Sequence, residues 1–269
     1  MDLVTAIIAL AVTGICVGFT SGLLGVGGSF IMTPVQYWIY IAMGVSEDVA
    51  IKVAFGTTLF VILPTAMSST LGHSRKGAVI WKAALVLSIA GAAGSLIGAT
   101  IATHLPGGVL RIIFGLAILA GGIRMLTAKP PKIEEEPVDN PLLLAVYGFP
   151  LGIVIGVTGI GGGVLMIPLM VLLLKFRMHQ AVGTSSALMI ATSTGGVLGY
   201  IINGLGVEGL FAYSLGYVNL ISWLALAVTS VPMAQVGVRV SHRLPARELK
   251  YIFVVVMIGV GLKMIGVSG

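Results

Sequence analysis

The chain has 269 residues, of which 57% are hydrophobic and only 9% charged, with a formal net charge of +6. A water-soluble domain carries about 25% charged residues, so this composition excludes an ordinary soluble domain and leaves lipid as the solvent. The basic balance calls for no nucleic-acid partner, because a membrane chain keeps its Lys and Arg in cytoplasmic loops.

The first apolar segment covers about 3–22, and no basic residue precedes it, which argues against a cleaved signal peptide. It runs into "GLLGVGGSFIMTP" (Gly22–Pro34), which leads into a short segment at 28–43. Segments at 49–72, 78–104 and 108–126 follow, the third carrying "AFGTT" (Ala54–Thr58). The stretch 127–141, "TAKPPKIEEEPVDNP", holds prolines and charges that cannot continue a membrane helix, and it is predicted to be an aqueous linker. Five further segments lie at about 141–158, 162–175, 179–203, 214–240 and 247–266. Among them are "GVTGIGGGVLMIP" (Gly156–Pro168) and "AVGTSS" (Ala181–Ser186).

The second set repeats the first. Gly22, Gly25, Gly27, Gly28, Met32 and Pro34 match Gly156, Gly159, Gly161, Gly162, Met166 and Pro168 at a constant offset of 134. The G-T-[ST] elements match at an offset of 127, and Leu105-Pro106 matches Leu244-Pro245 at 139. The expected organisation is therefore a first repeat over 1–126, a cytoplasmic linker over 127–141 and a second repeat over 142–269. Five segments is an odd number, so the second copy enters the membrane upside down if every connection reverses direction. Twelve of the fifteen Lys and Arg then fall in loops on one side. Positive residues stay inside, which places that side in the cytoplasm and both termini outside. Inverted repeats are a common basis for alternating access around a site near the membrane midplane. The expected fold is thus an all-α, multi-pass cell-membrane protein of five plus five segments.

The glycines divide by spacing. Gly14, Gly18 and Gly22, like Gly148, Gly152 and Gly156, recur every four residues and are read as faces for close helix packing. Gly25, Gly27 and Gly28, with Gly159, Gly161, Gly162 and Gly163, are too dense for good helix. The segments after them are too short to cross, so each repeat is expected to open with a re-entrant hairpin or a broken helix. The next helix would start at Ser29 or Gly163 with free N–H groups, and a helix N-terminus attracts anions. A packing kink is the alternative. The hydroxyls of Thr57, Thr58, Thr184, Ser185 and Ser186 are further candidate ligands, set against ordinary back-bonding to their own helix. No charged residue lies near the middle of a segment, which leaves neutral donors to hold the anion. His73, whose repeat equivalent is Tyr200, is the candidate for gating or proton coupling, against an interfacial role.

Other chemistries lack their residues. GxGxxG would need glycine where Phe30 and Val164 stand, and no GK[ST] follows. HExxH is absent, and 183–187 reads "GTSSA" in place of an intramembrane GxSG, so no enzyme is expected. The single Cys16 excludes an internal disulfide or cysteine metal cluster. Neither metal nor cofactor is expected.

Together "GLLGVGGSFIMTP", "GVTGIGGGVLMIP", "AFGTT" and "AVGTSS" resemble the sulfite exporter TauE/SafE family over both copies. The resemblance implies a secondary transporter of small sulfur-containing anions, such as sulfite or organosulfonates, usually directed outward. An uptake permease for related anions and an anion channel are the competing expectations. Ser29 departs from the family pattern, which favours the glycine found at Gly163.

Overall fold

The computed structural model describes residues 1–127, 138, 140–241 and 246–266, so most of the expected linker and His242 lie outside the described residues. In chain order the elements are α1 (Leu3–Leu24), α2 (Ser29–Ala42), α3 (Glu47–Ser74), α4 (Trp81–His104), α5 (Gly107–Thr127), α6 (Pro141–Thr158), α7 (Gly163–Leu172), α8 (Met178–Gly204), β1 (Ser214–Leu215), β2 (Val218–Asn219), α9 (Leu220–Ser241) and α10 (Ala246–Ile265). Apolar runs in lipid satisfy their backbone groups internally, and helices therefore dominate. Seven of them, α1, α3, α4, α5, α6, α8 and α9, are long and apolar enough to cross a membrane.

One expected helix is corrected. The segment expected from 214 begins its helix only at Leu220, because 214–219 forms an antiparallel hairpin that pairs Ser214 with Asn219 and Leu215 with Val218. Gly216 supplies the left-handed turn (φ 55°), and the Asn219 side chain accepts from the Ser222 N–H at 2.8 Å to start α9.

The short helices fold back along the ones before them. The Met1 amine donates to the Ala42 carbonyl at 3.0 Å, so α2 ends where α1 begins. A methyl carbon on Gly28 would touch Val17 and Thr20, which puts the start of α2 well inside the level of the end of α1. With 14 residues, α2 is about 21 Å long, short of the ~30 Å hydrocarbon core. Helix α7 has only 10 residues, about 15 Å. It returns toward the start of α6, where the Val138 N–H donates to the Leu174 carbonyl at 3.0 Å.

Helices α3 and α8 form the centre. Their apolar stretches are 78% and 67% buried, against 33–39% for the other five crossing helices, which present the rest to lipid. Around this centre the first helix of each copy packs on the fourth helix of the other. Gly18 and Gly22 of α1 press on Ser230 and Ala234 of α9, and Gly152 and Gly156 of α6 press on Gly91 and Ser95 of α4. A methyl carbon at any of the four would stand 1.9–2.2 Å from a carbonyl oxygen of the facing helix. These are the backbone approaches that small residues permit in membranes. The two interfaces use equivalent positions with the copies exchanged.

At one end of the bundle the Glu47 carboxylate meets Arg111 (3.3 Å), Asp48 accepts from the Gly107 N–H (2.7 Å), and the Lys263 ammonium lies over the Trp38 ring. Met1 and Ala42 belong to this terminal end through the same helices. The opposite, linker end holds Val138, Leu174 and the segment from Arg75 to Ile80.

Candidate substrate site

The two glycine turns share one backbone. Gly25, Gly27 and Gly28 have φ of 65°, 79° and 64°, and their equivalents Gly159, Gly161 and Gly162 have 63°, 70° and 91°. A side chain in this left-handed region costs roughly 1–2 kcal/mol, which explains why both copies use glycine there. Ser29 and Gly163 have ordinary negative φ, so the serine costs no backbone strain. Each turn closes its first helix, with the Gly25 N–H on the Ser21 carbonyl (2.9 Å) and the Gly159 N–H on the Ile155 carbonyl (2.8 Å). Each then opens a helix whose N-cap makes no side-chain capping bond.

The turns touch each other. The Ser29 hydroxyl donates to the Ile160 carbonyl. A methyl carbon on Gly163 would lie 2.3 Å from the Gly25 carbonyl oxygen and 2.4 Å from the Val26 Cα. Helices α2 and α7 therefore begin side by side in the buried centre, with Ser185 donating to the Gly25 carbonyl at 3.2 Å. Ile62 and its repeat equivalent Met189 sit against Gly27, and Ile62 also covers Gly161.

The G-T-[ST] elements are used in a way the sequence did not announce. Gly56 admits the Tyr217 carbonyl, and Gly183 admits the Ala78 carbonyl. Two residues further along those segments, the Asn219 N–H donates to Thr57 Oγ1 (2.9 Å), and the Ile80 N–H donates to Thr184 Oγ1 (3.1 Å). Glycine allows the approach and threonine holds it, so Thr57 and Thr184 anchor the connections that precede α9 and α4. Ser186 donates to the Val182 carbonyl (2.9 Å) and pairs with Ser69 (3.3 Å).

Thr58 leads to residues that sequence reasoning missed. Its hydroxyl accepts from Gln36 Nε2 (2.8 Å) and shares a hydrogen bond with Thr33 (3.1 Å), and the Tyr40 hydroxyl donates to Gln36 Oε1 (3.0 Å). All four are at most 1% exposed. The available signal was Thr33, Gln36 and Tyr40 on one face of a short apolar helix. A cavity of about 190 Å³ reaches Tyr40 from the terminal end, between α1, α2 and the 211–222 segment. The hydroxyls of Ser21, Thr70, Ser95 and Ser193 are also buried, and they have no hydrogen-bond partner among the described residues.

His73 and Tyr200 play matching parts away from the turns. A His73 ring nitrogen lies 3.2 Å from the Gly22 carbonyl, and the Tyr200 hydroxyl donates to the Gly156 carbonyl at 3.0 Å. Each thus holds the equivalent carbonyl near the end of α1 or α6. At the terminal end, Tyr217 has its phenol pushed above the usual tyrosine range by burial, with Asp48 adding to the effect. Lys52 is buried and paired with Asp48 at 2.8 Å.

The family model for the sulfite exporter TauE/SafE matches residues 10–264. A probable membrane transporter protein of Methanocaldococcus jannaschii is 28% identical, covering 95% of this chain and 94% of the relative. A probable membrane transporter protein of Haemophilus influenzae is 26% identical over 97% and 98%. The probable membrane transporter protein YunE of Bacillus subtilis is 28% identical over 96% and 97%. No solved structure matches the chain. With seven crossing-length helices among the described residues, two glycine turns and this match over nearly its whole length, the chain belongs to the sulfite exporter TauE/SafE family, and it is a multi-pass membrane transporter.

Proposed function

We propose that the transporter carries small sulfur-containing anions, such as sulfite and organosulfonates, across the cell membrane by alternating access, chiefly outward. The observation that carries this reading is the apposition of two equivalent glycine turns, each starting a helix with no side-chain cap, in the buried centre. Two helix N-termini pointing at one place concentrate positive potential without a formal charge. The main-chain N–H groups of Gly27, Gly28, Ser29, Gly161, Gly162 and Gly163 serve the oxyanion, with the hydroxyls of Thr58 and Ser185 beside them. Neutral donors suit a carrier, since a fixed cation would hold the anion too tightly to release it. Gly25 and Gly159 shape the turns. Thr57 and Thr184 frame the site through the connections that they anchor, and Ser186 is tied beside it to the Val182 carbonyl and Ser69.

The two copies act as an inverted pair, with the linker end in the cytoplasm and both termini outside. Support comes from the exchanged helix interfaces, from Met1 and Lys263 lying at one end, and from the Lys and Arg bias of the loops. An inside-negative potential contributes about 2.3 kcal/mol per charge per 100 mV toward anion exit, so a monoanion leaves downhill without a coupling ion. His73 and Tyr200, bonded to equivalent carbonyls at the ends of α1 and α6, are placed to release those ends alternately as gates.

The test is flux of isotopically labelled sulfite and methanesulfonate in proteoliposomes of defined orientation, with an imposed potential. Saturable efflux with counterflow is expected. Absence of flux and of binding for both anions refutes the substrate assignment. Saturable uptake alone, with no outward flux, reverses the direction.

A further inference from the structure

We propose that Thr33, Gln36, Tyr40 and Thr58 form a second oxyanion station, present in the first copy only, through which the anion passes between the terminal-end cavity and the glycine turns. The inference rests on the anion-transport reading above and deepens it.

Position is the first argument. Tyr40 stands at the inner wall of the cavity of about 190 Å³, beside Asn219 and Ser222. Its hydroxyl reaches Gln36, Gln36 reaches Thr58, and Thr58 reaches Thr33, in steps of 2.8–3.1 Å. Thr33 lies one helical turn beyond Ser29, whose hydroxyl is already on the opposite glycine turn. Thr33, Gln36 and Tyr40 of α2, with Thr58 of the facing α3, therefore bridge the distance from cavity to turn.

Donor chemistry is the second. The Gln36 amide has two N–H donors, and the three hydroxyls have one each. These donors close on one another and on the Met32 carbonyl. An oxyanion offers only acceptors, and hydrogen bonds to a charged acceptor are roughly twice as strong as neutral ones. The network can thus turn its donors from each other to the anion, and it closes again when the anion has left.

The third argument is the copy that lacks it. The second copy places Ile167, Met170 and Leu174 at the positions of Thr33, Gln36 and Tyr40, and all three are buried. The corresponding packing is therefore achieved with apolar side chains, Ile167 and Met170 on α7 and Leu174 just past its end. Packing alone does not call for polar groups here, and burying them is costly unless every one is bonded. A use in binding accounts for the difference between copies.

The chain supplies its own conservative test, since Gln36→Met and Thr33→Ile install what the second copy already carries. Half-saturation for sulfite counterflow in proteoliposomes is expected to rise about tenfold or more in Gln36→Met, as for loss of a hydrogen bond to a charged group, with the maximal rate within about threefold. Gln235→Met removes another partly buried glutamine, bonded to Ser68 outside this station, and is expected to leave half-saturation unchanged. Should Gln36→Met fail to accumulate, Thr33→Val and Tyr40→Phe each remove one donor at constant shape, and each is expected to weaken the anion. Unchanged half-saturation in all folded variants overturns the proposal.

A thermal-shift panel with sulfite, sulfate, methanesulfonate and phosphate separates this outcome from failure of the substrate assignment. Stabilisation by any of these oxyanions that is lost in Gln36→Met supports the station even if sulfur anions are not carried. Stabilisation that survives in Gln36→Met, or none in the native protein, counts against it.

Discussion

Substituting Gly163 by Ala places a methyl group where the two turns meet. Its Cβ would lie 2.3 Å from the Gly25 carbonyl oxygen and 2.4 Å from the Val26 Cα, both backbone atoms. Ordinary contact begins near 3.4 Å, so the turns must separate by about 1 Å. Overpacking of this kind costs about 1–3 kcal/mol of stability. The functional effect is larger in kind. A donor about 2.9 Å from an anion oxygen moves to about 3.9 Å, beyond hydrogen-bonding range. A hydrogen bond to a charged group contributes roughly 1.5–3 kcal/mol, and about 1.4 kcal/mol is tenfold in affinity. Half-saturation for sulfite in proteoliposomes is therefore expected to rise between about tenfold and a hundredfold. The converse change, Ser29→Gly, loses only the bond to Ile160; it is expected to cost about 1 kcal/mol of stability and to keep transport. A folded, correctly inserted Gly163→Ala protein with native half-saturation would refute the idea that the apposed turns hold the anion.

Gly18→Ala and Gly152→Ala each put a methyl carbon 2.1–2.2 Å from a facing carbonyl. Each is expected to lose about 1–3 kcal/mol, seen as a lower thermal midpoint in detergent. Gly259→Ala, with nothing within 4 Å, is the matched control and should not fall. Tyr200→Phe removes the bond to the Gly156 carbonyl and is expected to cost about 0.5–1.5 kcal/mol; an unchanged midpoint argues that the bond is not made in the membrane. His73→Phe is expected to flatten any pH dependence of sulfite flux if the imidazole carries a coupled proton, whereas an unaltered profile limits His73 to clamping α1. Sidedness is checked by replacing Cys16 with Ala and placing single cysteines at Lys76 and Gly206. Impermeant maleimide is expected to label them from opposite sides of oriented vesicles.

Much of the bundle could be read along the chain because lipid imposes simple rules. Apolar length gave the crossing helices, and dense glycine gave the left-handed turns at Gly25–Gly28 and Gly159–Gly162. The four-residue glycine spacing announced a close neighbour for α1 and α6, yet it does not encode which helix that is. That α1 takes α9, and α6 takes α4, depends on contacts made across the whole length of the chain. The G-T-[ST] elements drew attention as ligands because hydroxyls suit oxyanions. Spacing alone does not reveal that Asn219 and Ile80 would already occupy Thr57 and Thr184. Gln36 and Tyr40 escaped notice for the opposite reason. A search for matching pairs passes over a residue whose counterpart is Met170 or Leu174. The 214–219 hairpin was concealed by apolar residues that suit strand and helix alike.

The crossed partnership of α1 with α9 and α6 with α4 also constrains how the molecule can move. Neither half of the polypeptide owns a complete core, so a carrier cycle cannot swing one half against the other as intact blocks. In the proposed cycle the moving bodies are mosaics, each joined from the leading helix of one copy and a late helix of its sibling, with α3 and α8 as the seam between them. Cutting the chain between the copies would leave two fragments, each lacking the surface its opening helix is shaped to grip.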